Sequence, residues 1–196
     1  MPMQHRKHNP KHSNQIRITG GSLRGRKLSF QAADGLRPTP DSMRERLFNW
    51  LGQDLTGLDV LDLFAGSGAL GFEAVSRCAA RALLCDNNRQ TVRQLHWQAD
   101  ALGITRKVEV VCTDSLRFLE TNRTGFDVVF LDPPFAWSSW PVLFANLKGS
   151  LKTDARVYIE AADLPQWPQW LVPHREARAG VGRAMLLDYV QNAATE

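Results

Sequence analysis

The sequence predicts an α/β fold, a mostly parallel sheet that ends in an antiparallel C-terminal hairpin. Three observations in the 196 residues carry this reading. Short apolar runs alternate with helical patterns between Asp59 and Glu160, the rhythm of β–α–β units with right-handed crossovers. The run Val60-Leu61-Asp62-Leu63-Phe64 ends in Ala65-Gly66-Ser67-Gly68-Ala69-Leu70-Gly71, a glycine turn that opens a helix. After Glu160 the pattern changes: Pro165, Pro168 and Pro173 break helices, and two strand-like runs flank Gly180-Val181-Gly182.

The elements follow in order. Met1 to Asn14 holds Arg6, Lys7, Lys11 and three histidines without apolar periodicity, and is expected to be a disordered basic tail. The histidines have no cysteines or rigid scaffold nearby, so no metal site is expected. Gln15 to Phe30 predicts a small hairpin, with Ile16 and Ile18 alternating against Arg17 and Thr19, and Gly20-Gly21 and Gly25 at turns. Arg24, Arg26 and Lys27 crowd its second half. Asp34 to Pro40 reads as a loop. Ser42-Met43-Arg44-Glu45 matches a capping box, and Met43, Leu47, Trp50 and Leu51 recur at helical spacing, so a helix is expected over Ser42–Leu51. Strands are then expected at 59–64, 82–85, 108–112, 127–131 and 156–160. Helices are expected at 69–78, 88–102, 115–121 and 140–147. The closing strands are expected at 176–179 and 185–190.

Composition narrows the class. Hydrophobic residues are 43% and charged residues 22%, which suits a packed globular core. No apolar run is long enough to span a bilayer, and the polar N-terminus lacks the apolar stretch of a secretory signal. The three cysteines, Cys78, Cys85 and Cys112, form no C-x-x-C and suit reduced thiols in a cytoplasmic protein. Charge is uneven. The first 51 residues hold ten Lys or Arg against three acids, a net of +7 in a chain of net +4. A basic arm on a mildly acidic body points to a polyanionic partner met through one end.

The chemistry lies at the strand ends. Gly66-Ser67-Gly68-Ala69-Leu70-Gly71 satisfies G-x-G-x-x-G, a weak signal alone. Asp86 ends the next strand, twenty residues after Gly66, where a carboxylate can accept ribose hydroxyls. Asp132-Pro133-Pro134-Phe135 ends the run Val128-Val129-Phe130-Leu131. All three fall on the rim where open α/β sheets bind ligands. A dinucleotide or S-adenosyl-L-methionine could sit there. The Asp132 motif favours methyl transfer to an exocyclic amine. Such an amine is conjugated with its ring and is a poor nucleophile. Acceptors at its hydrogens localise the lone pair and stabilise the charge that develops. Asp132 and the Pro133 carbonyl are suitable acceptors, prolines hold them in place, and Phe135 offers a stacking face for an extruded base.

These motifs, with Asp114, resemble those of class I S-adenosylmethionine-dependent methyltransferases with a Rossmann-like fold that act on base amino groups. Gln15-Ile16-Arg17-Ile18-Thr19-Gly20-Gly21, Arg24-Gly25-Arg26, Leu36-Arg37-Pro38-Thr39 and Arg44-Glu45-Arg46-Leu47-Phe48-Asn49-Trp50-Leu51 narrow the resemblance to the RsmD family. The resemblance implies methylation of N2 of a guanine in small-subunit (16S) ribosomal RNA, a seven-stranded sheet, a monomer, and the assembled small subunit as substrate. It divides the chain into the tail 1–14, a basic extension 15–52 for RNA docking and a catalytic domain 53–196. It assigns Phe64, Gly66 and Gly68 to the methionine end of the cofactor, Asp86 to the ribose, and Asp114 with Ser115 to the adenine. Asp132, Pro133 and Phe135 receive the base, while Arg24, Arg26, Lys27 and Arg37 contact RNA phosphates. Asp62 either meets the cofactor's ammonium group or fixes the turn. Family members often carry Glu at the position of Asp86, and the role of Trp137 and Trp140 is open. Adenine-N6 methylation, a nicotinamide-dependent oxidoreductase and a non-catalytic RNA-binding domain are the alternatives.

Overall fold

The computed structural model describes residues 15–30, 39–179 and 182–191. The expected tail Met1–Asn14, Arg37 with its neighbours at 31–38, and the Gly180-Val181 turn lie outside the described residues.

A seven-stranded sheet forms the centre. In chain order its strands are β3 (Asp59–Asp62), β4 (Arg81–Asp86), β5 (Val108–Cys112), β6 (Phe126–Leu131), β7 (Leu151–Ala161), β8 (Leu171–Ala179) and β9 (Gly182–Tyr189). The spatial order is β5-β4-β3-β6-β7-β9-β8. The first five strands in that order run parallel, and β9 pairs antiparallel with both β7 and β8. The chain therefore winds outward from β3 to β5, then reverses at β6. That reversal opens a crevice between the ends of β3 and β6, the usual ligand position in such a sheet. The remaining strands, β1 (Gln15–Arg17) and β2 (Lys27–Ser29), form the separate N-terminal hairpin.

The strands read as continuous apolar runs because both faces are covered. Val60, Leu84, Phe130 and Tyr158 face a core built with α1 (Asp41–Trp50), α2 (Ala69–Ser76) and α3 (Arg89–Ala101). Their neighbours Leu61, Leu83, Val129 and Val157 face a second core built with α4 (Ser115–Thr121) and α5 (Trp140–Leu147). Phe130 meets Phe48 and Tyr158 edge-on at 6.0 and 6.3 Å between ring centres, a preferred aromatic geometry. Helix α2 is buried all round. A Cβ at Gly71 would lie 2.6 Å from Leu84, so glycine there lets the helix approach β4 closely.

A buried ionic network fastens the N-terminal part to α2. Glu73 is fully enclosed and accepts from the Thr19 N–H at 3.2 Å, from Arg44 Nη1 at 3.2 Å and from Arg77 Nη2 at 2.8 Å. Gly20-Gly21 is a docking point as well as a turn. Gly21 has φ +75°, and a Cβ there would come within 1.9 Å of the Ser76 carbonyl oxygen.

Several boundaries differ from expectation. The capping box does not form. Helix α1 begins at Asp41 after Pro40, Ser42 lies inside it, and no side chain caps its start. Asp41 pairs with Arg44 instead, because Arg44 is drawn inward to Glu73. Strand β3 stops at Asp62, since Leu63 and Phe64 already belong to the turn. Helix α2 stops at Ser76, and Cys78 has φ +74°. Strand β7 begins at Leu151 and β8 at Leu171, each five residues earlier than expected. A register shift between Pro173 and Arg175 places the proline in β8, the edge strand, where a missing N–H is tolerated.

Candidate active site

The parallel register brings five acids to one rim. Asp62 ends β3, Asp86 ends β4, Asp114 follows β5, Asp132 follows β6 and Glu160 lies near the end of β7. Neighbouring strands carry them, so the topology lines them up although 98 residues separate the first from the last. Among the described residues none of the five pairs with Lys or Arg. The rim is therefore an uncompensated cluster of carboxyls, suited to a cationic ligand.

The glycine turn is shaped by these acids. The Gly66 N–H donates to Asp86 Oδ2 at 3.0 Å, and the Gly71 N–H donates to Asp62 Oδ2 at 3.0 Å. Asp86 Oδ1 accepts from the Asn88 N–H at 2.8 Å. A pyrophosphate needs free amides at this turn. Two of them are already engaged by carboxylates, and a dianion would meet Asp62 and Asp86. The donor set disfavours a dinucleotide and suits S-adenosylmethionine, whose sulfonium and ammonium are cationic. Asp62 is buried, and burial with the facing Asp86 pushes its carboxyl up to about 7, although the Gly71 and Phe64 N–H groups hold it down. Its bond to Gly71 fixes the turn.

Gly68 needs its glycine for a different reason from ligand space. It has φ +77°, and a Cβ would lie 2.4 Å from Phe72 and 2.6 Å from Leu95. The crowding comes from the core side. Asp114 accepts from the N–H groups of Leu116 and Arg117 at 2.9 and 3.1 Å, both on Oδ1, and so caps α4. Ser115 is the first residue of that helix and is buried.

Asp132 lies at the heart of the rim. Thr39 Oγ1 lies within hydrogen-bond distance of its Oδ2, at 3.1 Å. Burial, the facing Glu160 and the more distant Asp62 push its carboxyl well above the ordinary range. Beside it lies a cleft of about 270 Å³ lined by Pro133, Pro134, Phe135, Trp137 and Asp163. Phe135 is 50% exposed, with a free face for a base. The Trp137 N–H donates to the Pro134 carbonyl at 2.8 Å, which folds the loop back and sets Trp137 edge-on against Phe64 at 5.3 Å. Trp140 is buried and stacks on Phe144. Both tryptophans line the cleft, Trp137 against the turn and Trp140 from its buried position edge-on to Trp137.

The basic side chains lie elsewhere. Arg24, Arg26 and Lys27 are exposed on the hairpin. Arg26 donates to the carbonyl of Ala101, the last residue of α3, while the start of α3 adjoins Asp86 at the rim. A helix of 13 residues spans about 20 Å, so Arg26 sits at the end of α3 remote from Asp86. Arg24 also lines a cleft of about 410 Å³ with Glu45, Asn49, Gln53 and Arg77, at the C-terminal end of α2 and thus away from the rim.

Thr39, Tyr158 and Glu160 join the candidate site without having been assigned a role from the sequence, although Thr39 closes the motif Leu36-Arg37-Pro38-Thr39. Glu160 follows the rule that marks Asp86 and Asp132, an acid closing an apolar run, here Val157-Tyr158-Ile159. The motif that holds Thr39 gives no indication of its partners.

Comparison with known proteins adds to the geometry. The profile of the family described as Conserved hypothetical protein 95 matches residues 16–188. The chain is 41% identical over 180 residues to Ribosomal RNA small subunit methyltransferase D of Escherichia coli strain K12, with 89% of this chain and 90% of that one covered. The protein of the same name from Haemophilus influenzae is 40% identical over 156 residues, covering 77% of this chain and 81% of the relative. The solved structure of Escherichia coli yhhF superposes with a TM-score of 0.80 at 40% identity, covering 89% of this chain and 98% of that one.

Proposed function

This chain belongs to the Conserved hypothetical protein 95 family, the RsmD family, and we propose that it methylates the N2 amine of one guanine in small-subunit ribosomal RNA. It is a methyltransferase that uses S-adenosylmethionine and acts on ribosomal RNA. The observation that carries the finer reading is the half-buried Asp132 with the buried Pro133, just after the end of β6 and beside an aromatic cleft.

S-adenosylmethionine supplies a methyl group on a sulfonium, already a good leaving group. The chain's own residues do the rest. Gly66, Gly68 and Phe64 form the turn beside which the methionine end lies. Asp86 is rigidly held and offers remaining lone pairs to the ribose. The Asp114 Oδ2 atom, not engaged in the helix cap, accepts from the adenine amine, and Ser115 assists through its N–H. Phe135 and the prolines hold the extruded base. Asp132 and the Pro133 carbonyl accept from its amine hydrogens, which turns the lone pair toward the methyl and stabilises the growing positive charge. Residues 15–52 form the RNA-docking extension. The substrate is the assembled small subunit, the enzyme acts as a monomer, and the cytoplasm is the compartment where it meets this substrate. No helix among the described residues is long and apolar enough to cross a membrane.

The test is direct. Purified protein, S-adenosylmethionine and unmodified small subunits should yield N2-methylguanine at one nucleotide by mass mapping. N6-methyladenine as the product would overturn the base assignment, and methylation of naked RNA in preference to subunits would overturn the choice of substrate form.

A further inference from the structure

Thr39 joins two acids that the sheet alone would leave facing each other. Its Oγ1 lies 3.1 Å from Asp132 Oδ2 and 3.1 Å from Glu160 Oε2. The Tyr158 hydroxyl donates to the same Glu160 oxygen at 2.8 Å. Thr39 and Glu160 are each only 6% exposed, and Tyr158 is fully buried.

Counting protons decides what this cluster holds. A hydroxyl carries one hydrogen, so Thr39 can donate to one carboxylate only. It can bond to the other only by accepting, which requires that carboxyl to be protonated. Two ionised carboxylates would leave one of the 3.1 Å contacts without a hydrogen between two oxygens. The pair therefore holds one proton. Its resting place follows from the donors. Glu160 faces two O–H groups, Thr39 and Tyr158, which favour its anion. Asp132 has Thr39 alone and faces Glu160 and Tyr158 from β7 and Asp62 from β3, with no cation paired to it among the described residues. The proton rests on Asp132.

A protonated Asp132 is a poor acceptor for an amine. We propose that Thr39 relays this proton from Asp132 to Glu160 when the base docks, and that Glu160 is a positioning residue acting through Thr39. The Asp132 Oδ2–H bond breaks as a Thr39 Oγ1–H bond forms. The original Thr39 O–H bond breaks as a Glu160 Oε2–H bond forms. No proton enters or leaves, and Asp132 becomes the carboxylate that accepts from the amine. The inference rests on the amine-methylation reading of the same site.

Infrared spectroscopy reads the relay without any methyl transfer. In an Asp62→Asn background, which removes the contribution of the other buried carboxyl, ligand-free protein at neutral pH should show the C=O stretch of a buried carboxylic acid, and adding Asp132→Asn should remove it. Glu160→Gln keeps the side-chain shape and removes the facing charge, so the band should titrate away about one pH unit lower or more. In methylation assays Thr39→Val should lower kcat about tenfold or more with KM for S-adenosylmethionine unchanged, and Thr39→Ser should restore most of it. The acidic limb of the kcat profile should move to lower pH in Glu160→Gln. No Asp132-dependent band across the neutral range, a Glu160→Gln profile superimposed on the wild type, or failure of Thr39→Ser to rescue would each overturn the relay. An intact band that shifts in Glu160→Gln would support the relay even if wild-type protein left ribosomal RNA unmodified, a result that counts against the substrate reading alone.

Discussion

At Asp132 the fold places a carboxyl where an ion is costly, between burial and a second carboxyl. The cost is useful only if the group acts on charge that appears during the reaction. Asp132→Ala should therefore lower turnover by orders of magnitude, the loss of about 3 kcal/mol usual for such an acceptor. Calorimetry should find affinity for S-adenosylmethionine little changed, and turnover at the wild-type rate would make Asp132 structural. Asp62 yields a prediction in stability. Its carboxyl is raised from an ordinary 3.8 to about 7 in the folded protein. Between these values the unfolded chain has lost the proton and the native state keeps it, so stability falls as pH rises through this window. Asp62→Asn, which can still accept from Gly71, removes that fall. Urea denaturation should show no difference near pH 4 and a gain that reaches a ceiling of roughly 4 kcal/mol above pH 7. Asp86 and Asp132 were legible in the sequence because each closes an apolar run; Asp62, inside its run, and Glu160 carried no assigned role of that kind. The role of Thr39 was not legible, since its partners lie 93 and 121 residues away and only the closed sheet brings them together.

At the level of elements, the parallel strands and their helices were legible because burial on both faces leaves unbroken apolar runs. Their starts were harder. Lys152 and Asp154 interrupt the first half of β7, and nothing in Leu171–Arg175 alternates cleanly. The capping box at Ser42 was misread for a tertiary reason: Arg44 must point inward to Glu73, and the helix start shifts to suit. Glu73 is the one carboxylate between two enclosed guanidinium groups, and Arg44 Nε already lacks a partner. Glu73→Ala should leave Arg77 without an acidic partner and Arg44 with Asp41 alone, and cost about 3 kcal/mol in chemical denaturation. The hairpin should lose protection first in hydrogen exchange, because Thr19 also bonds to Glu73. Loss of less than about 1 kcal/mol would mean that the network contributes only register.

Across the whole molecule charge is segregated. The acidic rim lies at the start of α3, and Arg26 of the basic cluster reaches the helix's other end, about 20 Å along it. The sequence supplied the sign of the basic arm but not this direction, which depends on how β2 lies along α3 through Gln94 and Ser29. The separation sharpens the docking prediction. A short RNA carrying the target guanine can fill the rim without reaching the hairpin. An assembled subunit can span both. Replacing Arg24, Arg26 and Lys27 together with Ala should leave methylation of a short RNA and binding of S-adenosylmethionine unchanged. It should weaken subunit binding and flatten its logarithmic salt dependence by about two, because each phosphate contact contributes slightly less than one. Removing residues 1–14 should matter less than the triple change. If the triple variant docks on subunits with an unaltered salt slope while removal of the tail abolishes docking, the phosphate contacts belong to the tail and the hairpin serves only to hold α2.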